Sequence, residues 1–190
     1  MDLEEKDTSK RILQATLKRI STYGYANVSM RDIAEEASVA LSQLNYYYKN
    51  KEKLFIAVIQ HIKNEYLQDI ENQLKTTKTA QEKISFLVDY CQKVIKENNS
   101  IYKLILDFYS MSIWSKAIEA EFKLFFHDIA EVIGKYITSD TSINDKIKSY
   151  PPQLITRLLI ATTFGIAMQH FADEDNNEII KGLDIIKTLI

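Results

Sequence analysis

Side chains suited to binding nucleic acid are concentrated in residues 29–54, near the start of the sequence. Within this segment the chain reads LSQLNYYY over residues 41–48, so that hydroxyl, amide and phenol groups lie close together. Such groups form hydrogen bonds with base edges and phosphates, and a short helix that exposes them fits the major groove. The chemistry that this pattern indicates is noncovalent recognition of double-stranded DNA.

Residue types used for catalysis or metal binding are scattered along the chain. The histidines are His61, His127 and His170, and the single cysteine is Cys91. The sequence contains no Gly-rich phosphate loop, no H-E-x-x-H or G-x-S-x-G motif and no metal-ligand spacing. We expect no catalytic residue, no metal and no cofactor. Two alternatives stay open: an enzyme that uses a buried acid such as Asp107, and a small-molecule carrier whose N-terminal part no longer reads DNA.

The composition favours long helices in a soluble protein. Only 4 glycines and 2 prolines occur in 190 residues, which is too few for many short strands and turns. The net charge is −2, so DNA binding requires a local basic patch; residues 38–60 supply one through Lys49, Lys51 and Lys53 against Glu52 alone. The first ten residues have no signal-peptide character, and the most apolar stretch, 158–168, is shorter than the roughly 20 residues of a membrane span. We expect a cytoplasmic protein with no membrane partner.

The spacing of apolar residues predicts about nine helices and no strand. Gly24 ends the first helix, Ser29 caps a second with Asp32 completing a capping box, and Asn50 caps a long fourth helix. A polar stretch at 138–152 that ends in two prolines is the clearest predicted loop. The other predicted helices cover residues 41–48, about 80–97, 101–111, 116–137 with Ser112 or Ser115 as its cap, 153–172, and 179–190.

The second and third predicted helices have the features of a helix-turn-helix. Two short helices that cross closely need a small residue at the crossing point, and Ala34 meets this need. The turn between them needs a residue that tolerates a left-handed backbone, followed by an apolar residue, and Ser38 and Val39 occupy these positions. Leu44 would then point into the core and leave the polar residues of the third helix exposed.

This segment resembles the DNA-binding domain of the TetR family of bacterial repressors. Ser38 stands where the family usually has glycine, Ala40 where it has serine, and Asn45 where it has the first tyrosine. The residues that carry the resemblance are Ser29, Ile33, Ala34, Ala37, Val39, Leu44, Tyr47, Tyr48, Lys51, Glu52 and Leu54.

The resemblance implies an all-α fold with an N-terminal three-helix DNA-binding domain, residues 1–53, and a larger helical domain, residues 54–190, for effector binding and dimerisation. Gln43 would read a base, Lys51 would bind a phosphate, and Arg31 with the Ser29 hydroxyl would hold the opposite strand. The predicted DNA-binding residues are Ser29, Arg31, Leu41, Ser42, Gln43, Asn45, Tyr46, Tyr47 and Lys51.

The resemblance further implies a ligand-responsive homodimer, most simply a repressor that leaves a palindromic operator when a small effector binds. The candidate residues for lining an effector pocket are mostly aromatic, which favours a largely apolar or aromatic effector. The predicted effector-binding residues are Phe108, Trp114, Phe126, Phe164, Met168 and Gln169. Helix eight is apolar on nearly every side, so helices eight and nine are predicted to form the dimer interface.

Overall fold

A computed structural model describes residues 3–97, 99–137 and 150–189 of the chain. All regular secondary structure in these ranges is helical, which confirms the predicted all-α class. Residues 138–149, most of the predicted loop, lie outside the described ranges. The helices are α1 (Leu3–Tyr23), α2 (Met30–Glu36), α3 (Leu41–Tyr47), α4 (Lys51–Thr76), α5 (Ala80–Glu97), α6 (Asn99–Ser112), α7 (Lys116–Ile137), α8 (Pro152–Ala172), α9 (Glu178–Lys181) and α10 (Asp184–Leu189).

Local capping signals explain where several of these helices begin. The Asn50 side-chain oxygen accepts a hydrogen bond from the backbone amide of Lys53 at 2.9 Å, and the Ser115 hydroxyl accepts one from the amide of Ile118 at 3.3 Å. Both bonds satisfy amides that the first turn of a helix leaves unpaired. Asn50 and Ser115 are thus confirmed as the caps of α4 and α7.

The last predicted helix is broken into α9 and α10, because the chain turns at Gly182. A β-carbon on Gly182 would lie 3.0 Å from the carbonyl oxygen of Ile179 and 3.2 Å from Cδ1 of Ile166 on α8. A larger residue at this turn would therefore require the neighbouring atoms of Ile179 and Ile166 to shift by a few tenths of an ångström. This close approach is a tertiary contact, which helical periodicity alone does not reveal.

The chain divides into two compact units, Met1–Glu65 with Ser100–Lys123, and Tyr66–Asn99 with Leu124–Ile190. The predicted boundary after residue 53 falls inside the first unit, because α6 and the start of α7 pack on the start of α4. The Phe55 and Phe108 rings lie 5.3 Å apart between centroids, and the Ser115 hydroxyl donates to the Glu52 carboxylate at 3.0 Å. The functional division into residues 1–53 and 54–190 remains a prediction.

In the second unit, polar contacts connect α5 to the C-terminal helices. The Gln92 amide donates to the carbonyl oxygen of Ile180 at 3.3 Å, and the Lys187 ammonium group lies 2.6 Å from the Asp89 carboxylate. Beneath these contacts Ile180 and Leu183 are fully buried. The short helices α9 and α10 are therefore held to α5 by both burial and charge.

Helix α8 has an unusual distribution of polar and apolar residues. Its buried side includes Thr156, Thr163 and His170, whereas Leu158 is 68% exposed. By length and composition alone, residues Gln153–Ala172 could also cross a membrane, so the apolar run extends beyond the stretch 158–168 read from the sequence. Helices in the interior or at a subunit interface of soluble proteins have the same composition. The exposed apolar side of α8 is therefore a candidate surface for binding another molecule.

Candidate DNA-binding site

The N-terminal helices pack around a small core that fixes the angle between α2 and α3. Leu44 on α3 is fully buried, as predicted, and it packs with Ile12 of α1 and Ile33 of α2. Ala34 is 4% exposed, and its carbonyl oxygen accepts a hydrogen bond from the amide of Val39 at 3.0 Å. The small side chain of Ala34 allows the turn to lie directly against α2.

The turn between α2 and α3 has the predicted left-handed backbone. Ser38 has φ of 53°, and within the described ranges no other residue besides glycine has a positive φ. A side chain in this conformation costs about 1 kcal/mol relative to glycine. The sequence-based prediction for Ser38 is confirmed, and the strain is small enough for the turn to form.

The start of α2 is held by a full capping box. The Ser29 hydroxyl accepts from the Asp32 amide at 3.2 Å and donates to the Asp32 carboxylate at 2.7 Å, and the Ser29 amide donates to the same carboxylate at 2.8 Å. These hydrogen bonds hold the pKa of Asp32 below its usual value, with smaller contributions from Arg19 and Lys51. The carboxylate is therefore charged at neutral pH and keeps the cap formed.

Helix α3 presents most of its predicted DNA-binding residues to solvent. Tyr46 is 76% exposed, and its ring packs edge-on against that of Tyr47 at 5.5 Å. Leu41 and Tyr47 are half-buried because they also pack against the core of the N-terminal helices. The structure thus leaves the polar residues of α3 exposed around its one fully buried residue, Leu44. The exposed predicted residues are Ser29, Arg31, Ser42, Gln43, Asn45 and Tyr46.

Two predicted phosphate-binding groups have partners inside the protein. The Ser29 hydroxyl is used in the capping box, and the Lys51 ammonium group donates to the carbonyl oxygen of Tyr25 at 2.6 Å. Lys51 also lies 4.1 Å above the centre of the Tyr25 ring. Burial lowers the pKa of Lys51, while the Asp32 carboxylate raises it. The positive charge of Lys51 therefore lies at a half-buried position, where the ammonium group is already hydrogen-bonded to Tyr25.

Ala40 occupies the N-cap of α3 and cannot cap it. Its backbone is extended, with φ of −66° and ψ of 144°, and it makes no side-chain cap hydrogen bond. We expect Ala40→Ser to raise the free energy of unfolding by about 1 kcal/mol, because its hydroxyl reaches the free amides of the first turn. Chemical denaturation measures the change, with Ala26→Ser, at an exposed alanine in the turn after α1, as the control. Equal effects of the two substitutions would contradict the capping argument.

The predicted effector-binding residues do not form a single site. Phe126 and Phe164 meet in the second unit, with ring centroids 6.0 Å apart. Phe108 is buried in the first unit against Phe55, and the Trp114 side chain is 86% exposed, so Trp114 is not enclosed by its surroundings. The remaining two, Met168 and Gln169, lie on the exposed side of α8.

From the sequence, His170 was one of several polar options for an effector pocket and was not among the predicted effector-binding residues. His170 lies on the buried side of α8, 7% exposed, and its Nδ1 atom has no hydrogen-bond partner among the residues that the structure describes. A buried polar atom without a partner is costly, so it marks a position where a ligand or water can bind. The helical period that places Thr163 and His170 on one face of α8 was the available signal. Within residues 3–97, 99–137 and 150–189 no group of three metal-binding side chains comes together.

The N-terminal helices match a known family model. Residues 12–58 match the model described as bacterial regulatory proteins, tetR family. The HTH-type transcriptional regulator BetI of Brucella anthropi is 28% identical over 79 residues, which cover 42% of this chain and 41% of that protein. An uncharacterized HTH-type transcriptional regulator from the lacX 3' region of Lactococcus lactis is 24% identical, over 96% of this chain and 93% of the relative. The match to BetI therefore covers less than half the length of either protein.

Solved structures share the fold over nearly the whole chain. A TetR transcription regulator from Haloarcula marismortui has a TM-score of 0.79 at 19% identity, with 96% of this chain and 95% of that one covered. FadR of Bacillus subtilis, in complex with stearoyl-CoA, has a TM-score of 0.75 at 14% identity, with 95% and 96% covered. A regulator from Saccharomonospora viridis, in complex with choline, has a TM-score of 0.76 at 17% identity, with 94% of each covered. Residues 12–58 thus match the TetR family model, and the chain shares its all-helical fold with solved TetR regulators.

Proposed function

We propose that this protein is a cytoplasmic, ligand-responsive repressor that binds a palindromic operator as a homodimer and leaves it when a small, largely apolar effector binds. The observation that carries the proposal is the exposed polar face of α3, held on a closely crossed helix pair. Gln43 and Asn45 are exposed there while Leu44 between them is buried. A face of this size matches the dimensions of the major groove.

The homodimer is supported by the exposed side of α8. Leu154, Leu158 and Met168 are 54%, 68% and 56% exposed. They belong to a stripe with a spacing of four and three residues, which also includes Ala161, Gly165 and Ala172. This spacing is that of helices that pack along a shared seam, and Gly165 has open space where a β-carbon would lie. Ile185 on α10, 60% exposed, adds an apolar group from the last helix.

The effector site that the second unit supports lies between α7 and α8. Phe126 and Phe164 provide aromatic surfaces, and His170 provides a buried polar atom without a partner. Apolar walls with few polar groups are typical of small-molecule sites. Two proteins of the same fold bind ligands with apolar parts, choline and stearoyl-CoA, but the likeness to them does not identify the effector. The repressor leaves its operator if the effector binds more tightly to the conformation that does not bind DNA.

Selection of duplexes from a random DNA pool tests the proposal. We expect the protein to retain palindromic sites, with affinity that falls linearly in log salt concentration. Gln43→Ala should relax the preference at one base pair of each half-site, by about 1–3 kcal/mol. Lys51→Ala should instead weaken all duplexes alike, because an ammonium group near phosphates reads no sequence.

Lys93→Gln is the control for the loss of one positive charge, since Lys93 is exposed on α5 and forms an ion pair with Glu97 of the same helix. Unchanged operator binding in both Gln43→Ala and Lys51→Ala would show that the DNA-binding face has been misassigned. Retention of no duplex above background would favour the alternative of a small-molecule carrier.

A further inference from the structure

The turn between α1 and α2 is held by two helices that are remote from it in sequence. Gly24 has φ of 74°, which lets the chain leave α1 sharply and brings the Tyr25 peptide groups to the surface of the first unit. The Tyr25 amide donates to the Asp107 carboxylate of α6 at 3.2 Å. The Tyr25 carbonyl oxygen accepts from the Lys51 ammonium group of α4 at 2.6 Å. Both backbone groups of one residue are thus bound by charged side chains.

The Tyr25 side chain strengthens the same junction. Its ring meets Phe55 of α4 edge to face, with centroids 4.0 Å apart, and Phe55 in turn packs on Phe108 of α6. Burial, and secondarily the Glu52 carboxylate, raises the pKa of the Tyr25 hydroxyl, so the side chain stays neutral. A hydrogen bond to a charged group is stronger than one between neutral groups. The turn therefore has a defined position relative to α4 and α6.

Packed and capped residues connect this turn to the exposed polar face of α3. Val28, three residues after Tyr25, is 2% exposed and belongs to the core around Leu44. Ser29 follows as the cap of α2, and Ala34 of α2 bonds the turn that starts α3. Tyr25 is therefore connected to α2 and α3 through residues that are packed or capped.

We propose that Asp107, which lies outside the helix-turn-helix, is a positioning residue for DNA binding that sets the orientation of α2 and α3 through the Tyr25 peptide group. The proposal rests on the proposed function, since it assumes that two such faces bind one operator. Asp107 touches no DNA in this role. Asp107 restricts the orientation of α2 and α3 in each subunit. Only operators with the correct distance between half-sites then bind tightly.

Operators with altered spacing test the role of Asp107 in the full-length protein. The selected palindrome is compared with versions that have one or two base pairs added between the half-sites, and with a single half-site. We expect Asp107→Ala to reduce the preference for the selected spacing about tenfold and to leave single-half-site binding unchanged. Asp107→Asn should retain the preference, because its amide oxygen still accepts a hydrogen bond from the Tyr25 amide.

Ser112→Ala is the matched control on α6, because the Ser112 hydroxyl donates within the helix, to the carbonyl oxygen of Tyr109. An unchanged spacing preference in Asp107→Ala overturns the proposal. An equal loss of affinity for every duplex, accompanied by a loss of thermal stability, also overturns the proposal, because that result indicates a structural role only. If Asp107→Ala loses its helical circular dichroism, the same comparison is made with Asp107→Leu, which favours helix but has no hydrogen-bond acceptor; a wild-type preference there also overturns the proposal. Failure of the wild type to select an operator would instead remove the proposed function, and this proposal with it.

Discussion

Leu158→Glu is expected to convert the dimer into a monomer and to weaken operator binding at least about a hundredfold. Leu158 is the most exposed large apolar residue of α8 and is the second residue of its apolar stripe. In a symmetric dimer the substitution occurs twice, so two carboxylates lose water in an apolar interface without a cationic partner. A monomer reads only one half-site, which is why operator affinity falls together with dimerisation.

Sedimentation velocity at micromolar concentration measures the assembly, and titration of the selected operator measures the affinity. Lys93→Gln changes the net charge by the same amount at an exposed position on α5, and it should remain dimeric. A Leu158→Glu protein that stays dimeric would exclude the α8 stripe as the interface. A wild-type monomer that co-sediments with phosphatidylglycerol vesicles would show that a membrane covers α8 instead, which its length and composition allow.

Features that depend on neighbouring residues were predictable from the sequence. The caps Ser29, Asn50 and Ser115, and the left-handed Ser38, occur where they were predicted, because each acts on amides or angles within a few residues of itself. The limits of α5, α7 and α8 agree with prediction to within one residue for the same reason. The surface of α3 followed from these positions, since the helical period fixes the side that Leu44 buries.

Features that depend on tertiary packing could not be predicted in this way. Phe108 and Phe126 were predicted to line one site, but they pack in different units, because sequence spacing does not show which neighbour each helix face meets. From the sequence, Asp107 was a possible buried acid or a polar group of the effector pocket, whereas it is exposed and accepts a hydrogen bond from a backbone amide 82 residues away along the chain. The hydrogen bond from Lys51 to the Tyr25 carbonyl oxygen depends on the same turn, and it could not be predicted from the sequence either.

Phe55→Ala is expected to lower the free energy of unfolding by about 3–5 kcal/mol, a large part of the 5–15 kcal/mol typical of a domain. Phe55 is fully buried, and its ring contacts Tyr25 of the first turn and Phe108 of α6. Its removal leaves a cavity where α4, α6 and the N-terminal helices meet. Because residue 55 lies beyond the predicted boundary at 53, a large loss would show that the DNA-binding helices depend on the rest of the first unit.

Chemical denaturation followed by circular dichroism measures this loss, and operator binding at low temperature separates it from a direct effect on DNA contacts. Phe86→Ala is the matched control, because Phe86 is half-buried in the second unit and its ring lies 5.7 Å from that of Tyr90. Less apolar surface is transferred to water there, so its loss should be the smaller one. If the two substitutions cost the same, the junction around Phe55 contributes no more than an ordinary surface contact, and the support that α6 gives to the DNA-binding helices would have to be abandoned.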